Sequence, residues 1–225
     1  MIIESDNIYC GDCLELMKQM GDKSVNLIIT DPPWNVGKDY GTYKDNLSYD
    51  KYTALIISLK REWNRIADGK VIIVLGSEIL KQWWDVFPEA KIIIVKLGAI
   101  VLTRKKNMHL QWKAILTTCE SNEFSTDLFE NYWEDIRWLG EGYFFNEPRY
   151  GHPCMTPLKL MKRLCLMFSS ENDLILDPFL GYGTTTVACI HTSRRYIGFE
   201  IDPTYFEIAK KRIESEKMQL KLDLK

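Results

Sequence analysis

Two periodicities alternate along the chain. Short apolar, β-branched runs are followed by stretches in which apolar residues recur every three or four positions. Asn7 to Cys10 reads as a short strand, and Asp12 can cap a short helix through Met17. Val25 to Thr30 (VNLIIT) reads as a buried strand ending at Asp31. Asn35 to Asp50, with Gly37, Gly41, Tyr40, Tyr43 and Tyr49, has no period and reads as a loop. From Asp50 the positions Tyr52, Leu55, Ile56, Leu59, Trp63 and Ile66 predict a helix that Gly69 stops. Lys70 to Leu75 is a predicted strand, Ser77 a candidate cap for the next helix, and Lys91 to Val95 and Leu110 to Thr117 are further strands. Residues 119 to 151 are acidic and aromatic and carry no readable period. The pattern returns at Thr156-Pro157, an N-cap followed by proline at the first helical position, opening a helix to about Phe168. Asp173 to Asp177 is a strand, followed by a glycine loop, a helix from Thr184 and the strand Arg195 to Glu200. Asp202-Pro203 opens the last helix, where Tyr205, Ile208, Ala209, Arg212 and Ile213 share a face. Strands alternating with helices in this way predict an α/β domain with a largely parallel sheet.

Length and composition narrow the class without changing it. The 225 residues, 46% hydrophobic and 27% charged, suit one globular domain spanning 1–225. No apolar run approaches the roughly 20 residues of a membrane-spanning helix. The opening residues Met-Ile-Ile-Glu-Ser-Asp lack the pattern of a signal peptide, and six scattered cysteines read as reduced thiols, so a cytoplasmic location is expected. Cys10-Gly-Asp-Cys13 is formally a C-x-x-C, but a zinc site would want a second pair; a redox pair is a minor alternative. The three histidines suggest structural roles and no metal set.

Two constellations carry chemistry. Asp177-Pro-Phe179-Leu-Gly181-Tyr-Gly183-Thr184-Thr185 lies between a predicted strand and helix. Glycines there let the backbone turn tightly and approach a ligand, and the helix N-terminus offers unpaired N–H groups. Glu200, 23 residues after Asp177, ends the next strand, where an acid commonly binds ribose hydroxyls. Asp177 itself would repel a pyrophosphate but could meet an ammonium, and Thr186 stands where a dinucleotide motif has its third glycine. The site therefore points to S-adenosylmethionine rather than to a dinucleotide. The second constellation is Asp31-Pro32-Pro33-Trp34, directly after VNLIIT. Two prolines fix the backbone and remove two donors. A carboxylate, a rigid carbonyl and an indole side by side suit a planar base with an exocyclic amino group: Asp31 and the Pro32 carbonyl can accept its two N–H bonds while the indole stacks.

Together these motifs resemble those of the amino-group DNA methyltransferases that use S-adenosylmethionine. The catalytic motif precedes the cofactor motif, and this permuted order resembles the beta class of N6-adenine and N4-cytosine enzymes. Gly11-Asp12-Cys13-Leu14-Glu15 is similar to the family's N-terminal segment, whose acid reaches the cofactor adenine. His152-Pro153-x-x-x-Pro157 and Arg195-Tyr-Ile-Gly-Phe-Glu200-Ile-Asp202-Pro203-x-Tyr205 are similar to flanking family segments. Two positions depart from the pattern: Thr156 where lysine is frequent, and Tyr182 between the two glycines. The resemblance implies a Rossmann-like methyltransferase fold with a mostly parallel seven-stranded sheet, helices on both faces, and a short target-recognition insertion at about 98–151. It implies Asp31, Pro32, Pro33 and Trp34 as catalytic residues. For S-adenosylmethionine it implies Asp12, Cys13, Asp31, Pro157, Asp177, Phe179, Gly181, Gly183, Thr184, Thr185, Glu200 and Asp202. The expected activity is methyl transfer to N6 of a flipped-out adenine in DNA, since Asp at 31 resembles the adenine-modifying members. A homodimer is expected because many members dimerise.

Net charge is −2, which excludes binding through bulk positive charge but not through a local stripe. Residues 90–119 hold six Lys and Arg and no acid. Arg104, Lys105, Lys106 and Arg149 are candidate phosphate contacts, and Lys38, Tyr40 and Tyr43 candidate nucleic-acid contacts on a loop that could close over the flipped base. N4-cytosine methylation, adenine methylation of RNA, and a catalytically silent nucleic-acid-binding relative remain open.

Overall fold

The computed structural model describes residues 2–96, 112–119, 132–133 and 156–223. In chain order the elements are β1 (Asn7–Cys10), α1 (Cys13–Met17), β2 (Leu27–Thr30), β3 (Asp39–Tyr40), β4 (Tyr43–Lys44), α2 (Tyr49–Ala67), β5 (Val71–Gly76), α3 (Leu80–Val86), β6 (Lys91–Lys96), β7 (Trp112–Thr117), β8 (Tyr132–Trp133), α4 (Leu158–Phe168), β9 (Leu174–Asp177), α5 (Thr184–His191), β10 (Arg195–Glu200) and α6 (Pro203–Asp223). The main sheet runs β1-β10-β9-β2-β5-β7-β6-β8. Seven strands of four residues or more form its body, and the two-residue β8 extends the edge. Among the described strands only β7 runs against both neighbours, pairing antiparallel with β5 and β6.

The central strands are buried on both faces, which is why their sequences read as continuous apolar runs. Alternate residues divide between two cores. Ile28, Val71, Ile73, Leu75, Leu176, Ile197 and Phe199 face α1, α2 and α3. Leu27, Ile29, Ile72, Val74, Ile175 and Tyr196 face the side holding α4 and α5. On the first side Trp83 stacks between Trp63 and Phe87, with ring centroids 6.0 Å from each. The Trp83 indole N–H donates to the Tyr52 hydroxyl (3.1 Å), which in turn donates to the Pro33 carbonyl (2.6 Å). The aromatic core thus reaches directly to the backbone of the Asp31–Trp34 segment.

The topology places the site. From β9 the chain crosses through α5 to β10 on one side, and from β2 through α2 to β5 on the other. Neighbouring strands whose connections diverge leave a crevice at their carboxyl ends, and β9 and β2 are such a pair. Asp177 ends β9, and Asp31 follows β2.

The structure revises three local expectations. The Asn35–Asp50 segment contains a hairpin, β3–β4, turned by Gly41 at φ 66°. Ser77 does not cap α3; Ile79 holds the N-cap position, without a side-chain bond, because the chain first turns through an Ile79 N–H bond to the Gly76 carbonyl. Thr156 does not cap α4 either: Pro157 is the N-cap, and the Thr156 hydroxyl turns instead to Asp31. Among the described residues no helix is long and apolar enough to cross a membrane.

Candidate active site

A single cavity at the crevice gathers both sequence constellations. It is lined by Asp31, Pro32, Pro33 and Trp34 from one side and by Asp177, Phe179, Gly181, Thr184, Thr185 and Glu200 from the other, with Asp12 and Cys13 of the first turn. Tyr40 and Tyr43 of the hairpin also line it.

Asp31 is held by two donors. The Trp34 indole N–H donates to Oδ1 (2.9 Å), and the Thr156 hydroxyl donates to Oδ2. Burial pushes its pKa up to about 6, and the neighbouring Asp177 charge adds to the rise. The Thr156 bond, the Lys113 ammonium and the Trp34 bond oppose it. A carboxylate has about four lone-pair positions, so two remain for an incoming amine. The Lys113 ammonium lies 3.4 Å from the centroid of the Trp34 ring, covering one of its faces. A side chain on Gly76 would meet that ring at Cε3, so Gly76 gives Trp34 its seat.

The second half is built around two buried carboxylates. Asp177 Oδ1 accepts from the Thr30 hydroxyl (2.8 Å) and the Phe179 N–H (3.0 Å), and burial raises its pKa against bonds from Thr185, Thr30 and Phe179. Glu200 accepts from the Gly181 N–H (2.8 Å) and the Asp202 N–H (2.9 Å). Burial, with the charges of Asp202 and Asp177, brings its pKa up to about 7 despite those bonds. Asp12 caps α1 by accepting the Glu15 N–H (3.1 Å). Two carboxylates kept from water beside neutral donors gain from a ligand that brings a cation to one and hydroxyls to the other. An amino acid joined to a nucleoside, as in S-adenosylmethionine, fits that donor set.

Three residues assigned to the cofactor from sequence lie off the cavity wall. Gly183, at φ 78°, is the N-cap of α5, and a Cβ there would press on Ile213 and Ala209 of α6; its smallness serves helix packing. Pro157 starts α4. Asp202 spends both oxygens elsewhere: Oδ1 accepts from the Thr204 and Tyr205 N–H groups at the start of α6, and Oδ2 from the N–H and hydroxyl of Thr42. Burial alone would raise the Asp202 pKa, but those donors outweigh it and hold the group below its ordinary range. Of the nucleic-acid candidates, Lys38 is not on the wall, and its N–H donates to Asp45 (3.1 Å). Arg104, Lys105, Lys106, Arg149 and most of the 98–151 insertion lie outside the described residues.

The Cys-x-x-Cys pair does not suit redox work. Cys10 is exposed and Cys13 buried, and burial, then the Asp12 charge, pushes the Cys13 thiol up to about 12, the reverse of an activated thiol. His191 is structural, bonded to Glu216 at 2.9 Å. The sequence reading missed Thr156, Lys113, Met161, Leu55 and the Tyr182–Tyr205 ring pair (centroids 5.3 Å apart). Thr156 had a signal in its departure from the pattern of the family that the sequence resembles. Lys113 had only its place in an acid-free stretch.

Comparison with known proteins agrees with this geometry. A DNA methylase family model (N6_N4_Mtase) matches residues 103–211. The type II methyltransferase M.HpaI of Haemophilus parainfluenzae is 30% identical over 234 residues, covering 93% of this chain and 74% of that protein. The DNA adenine methyltransferase YhdJ of Escherichia coli (strain K12) is 26% identical over 245 residues, covering 94% and 83%. Among solved structures, the cytosine-N4-specific PvuII DNA methyltransferase superposes with a TM-score of 0.70 at 18% identity, covering 93% of this chain and 86% of that one. M1.HpyAVI in complex with SAM gives 0.68 at 23%, covering 92% and 98%. A mostly parallel sheet, a crevice that brings Asp31 to Asp177, and a relative alike over nearly the whole chain lead to one conclusion: the chain belongs to the N6/N4 family of DNA methylases, S-adenosylmethionine-dependent methyltransferases of DNA.

Proposed function

We propose that the protein methylates the N6 amino group of adenine in DNA, on a base flipped out of the duplex. The observation that carries this reading is Asp31, oriented by Trp34 and Thr156 in the same cavity as Asp177 and Glu200. Asp177 would hold the cofactor's ammonium, Glu200 its ribose, and Asp12 and Cys13 its base, with Phe179, Gly181, Thr184 and Thr185 shaping the floor. When bound, S-adenosylmethionine supplies a methyl group on a positively charged sulfur, an electrophile that a neutral amine can attack. The exocyclic amine is a weak nucleophile because its lone pair is delocalised into the ring. Asp31 and the Pro32 carbonyl would accept its two N–H bonds, localising that lone pair and stabilising the charge that develops on nitrogen as the sulfur leaves as a neutral thioether; the methylated nitrogen then loses one of those two protons. Tyr52, through the Pro33 carbonyl, fixes the backbone that presents Pro32. The remaining acceleration comes from positioning.

Flipping costs a few kcal/mol of unstacking. Stacking on Trp34 would return about 1–3 kcal/mol, and a base on the face that Lys113 covers takes the place of the ammonium. The adenine assignment is supported by the aspartate at 31 and by the relative named as a DNA adenine methyltransferase. We assign residues 98–151 to target recognition and the rest of the chain to a single catalytic domain, with Arg104, Lys105, Lys106 and Arg149 as phosphate contacts. The expected homodimer is read by sedimentation.

Paired substitutions test the division of labour. Asp31→Ala should lose more than tenfold in transfer rate, at least about 1.4 kcal/mol of barrier, with cofactor affinity largely kept. Asp177→Ala should weaken cofactor affinity first. An Asp31→Ala enzyme within tenfold of the wild-type rate would refute the assigned role.

A further inference from the structure

The segment after Trp34 is a built structure. The buried Asp45 carboxylate accepts from the N–H groups of Asn35 (2.7 Å), Val36 (3.0 Å) and Lys38 (3.1 Å), and its carbonyl accepts from Gly37 (2.7 Å). Asn35, at a left-handed φ of 56°, bonds reciprocally to Leu47: its amide donates to the Leu47 carbonyl (2.8 Å), and its carbonyl oxygen accepts the Leu47 N–H (2.6 Å). This clamps the base of the β3–β4 hairpin beside the Asp31–Trp34 segment.

The tip is clamped as well, on the opposite side of the cavity. Thr42 gives both its N–H (3.2 Å) and its hydroxyl (2.9 Å) to Asp202 Oδ2. The N–H of Asp202 donates to Glu200, the strand-end acid. The hairpin therefore spans from the catalytic segment to the carboxylate whose position marks the ribose.

Between the two clamps, Tyr43 lines the cavity, and its hydroxyl is buried with no hydrogen-bond partner among the described residues. Burial, then the nearby charges of Asp45 and Cys13, pushes this phenol up to about 12, so it stays a neutral O–H donor. A buried donor without an acceptor costs free energy that a ligand acceptor would recover.

We propose that Tyr43 is a cofactor-binding residue, its hydroxyl donating to the nucleoside end of S-adenosylmethionine, and that the hairpin Asp39–Lys44 is a strap latched over that end by Asp202. This replaces the expectation that Tyr43 closes over the flipped base, and it rests on the cofactor reading above.

The test is calorimetric titration of the protein with S-adenosylmethionine and, separately, with S-adenosylhomocysteine, in the absence of DNA. Tyr43→Phe keeps the ring and should raise both Kd values roughly three- to tenfold, with the melting temperature unchanged. Its affinity for an unmethylated duplex, read by fluorescence anisotropy, should equal the wild-type value. Gly41→Ala is the second variant. Gly41 sits at φ 66°, and a Cβ there would run into the Asp202 carboxylate, so this change should loosen the latch and speed cofactor dissociation in stopped flow. Tyr43→Phe with wild-type Kd values overturns the assignment, as does a loss of duplex affinity instead of cofactor affinity. A wild-type protein that binds neither compound overturns the cofactor reading itself, a result distinct from failure of the Tyr43 assignment.

Discussion

Asp31 carries a conflict between stability and chemistry that can be measured. Its pKa rises from an ordinary 3.8 to about 6, with burial as the largest cause. That difference of about 2 units is worth roughly 3 kcal/mol, the cost of keeping the carboxylate ionised in the fold. A raised folded-state pKa means that the folded protein holds the proton more tightly than the unfolded chain. The group's full contribution to stability is therefore present below about pH 4 and is lost as pH rises through about 6. Asp31→Asn imitates the protonated form: its carbonyl oxygen can accept the Trp34 N–H, and its amide can donate to the Thr156 hydroxyl oxygen. At pH 8 the variant should be more stable than wild type by up to about 3 kcal/mol, a rise in melting temperature of roughly 6–12 °C for a domain of this size. At pH 4 the two should melt together, and the variant should be inactive at every pH. Thermal melts of both proteins from pH 4 to 8 read this directly. An Asp31→Asn protein no more stable than wild type at pH 8 would refute the claim that burial dominates at this site.

Two further changes probe the support around Asp31. Thr156→Val removes the hydroxyl bond that most opposes the rise in the Asp31 pKa, so the acid limb of the transfer rate, expected near pH 6 in the wild type from the Asp31 pKa, should move to higher pH; an unmoved limb would disconnect Thr156 from Asp31. Gly76→Ala places a methyl against the Trp34 ring and the Glu78 carboxylate, and it should lower kcat at least severalfold while leaving cofactor Kd nearly unchanged. A fall in cofactor affinity instead would move Trp34 to the other half of the cavity.

Much of this arrangement was legible in the sequence because its signals are local. VNLIIT followed by Asp-Pro-Pro-Trp, and a strand followed by Asp-Pro-Phe-Leu-Gly-Tyr-Gly-Thr-Thr, announce their elements and chemistry within a dozen residues. The cavity joins both because β2 and β9 are neighbours, and that pairing could be anticipated only from the resemblance to a family. What escaped the sequence is long-range. Thr156 meets Asp31 across 125 positions, and a Thr-Pro pair read in isolation looks like a helix cap. Thr42 meets Asp202 across 160, which turns an apparently irregular tyrosine-rich loop into a fixed hairpin. Two-residue strands leave no periodicity to detect, and Asp202, a good cofactor candidate by position, is consumed by the cap of α6 and the Thr42 latch.

The central claim is methyl transfer to an exocyclic amino group at Asp31. Its most direct test is mass spectrometry of nucleosides released from unmethylated DNA after incubation with the protein and S-adenosylmethionine, with Asp31→Ala alongside. N6-methyladenine from the wild type and none from the variant is the predicted result. N4-methylcytosine would keep the mechanism and overturn the base assignment, and no methylated nucleoside from a folded, cofactor-binding wild type would contradict the account.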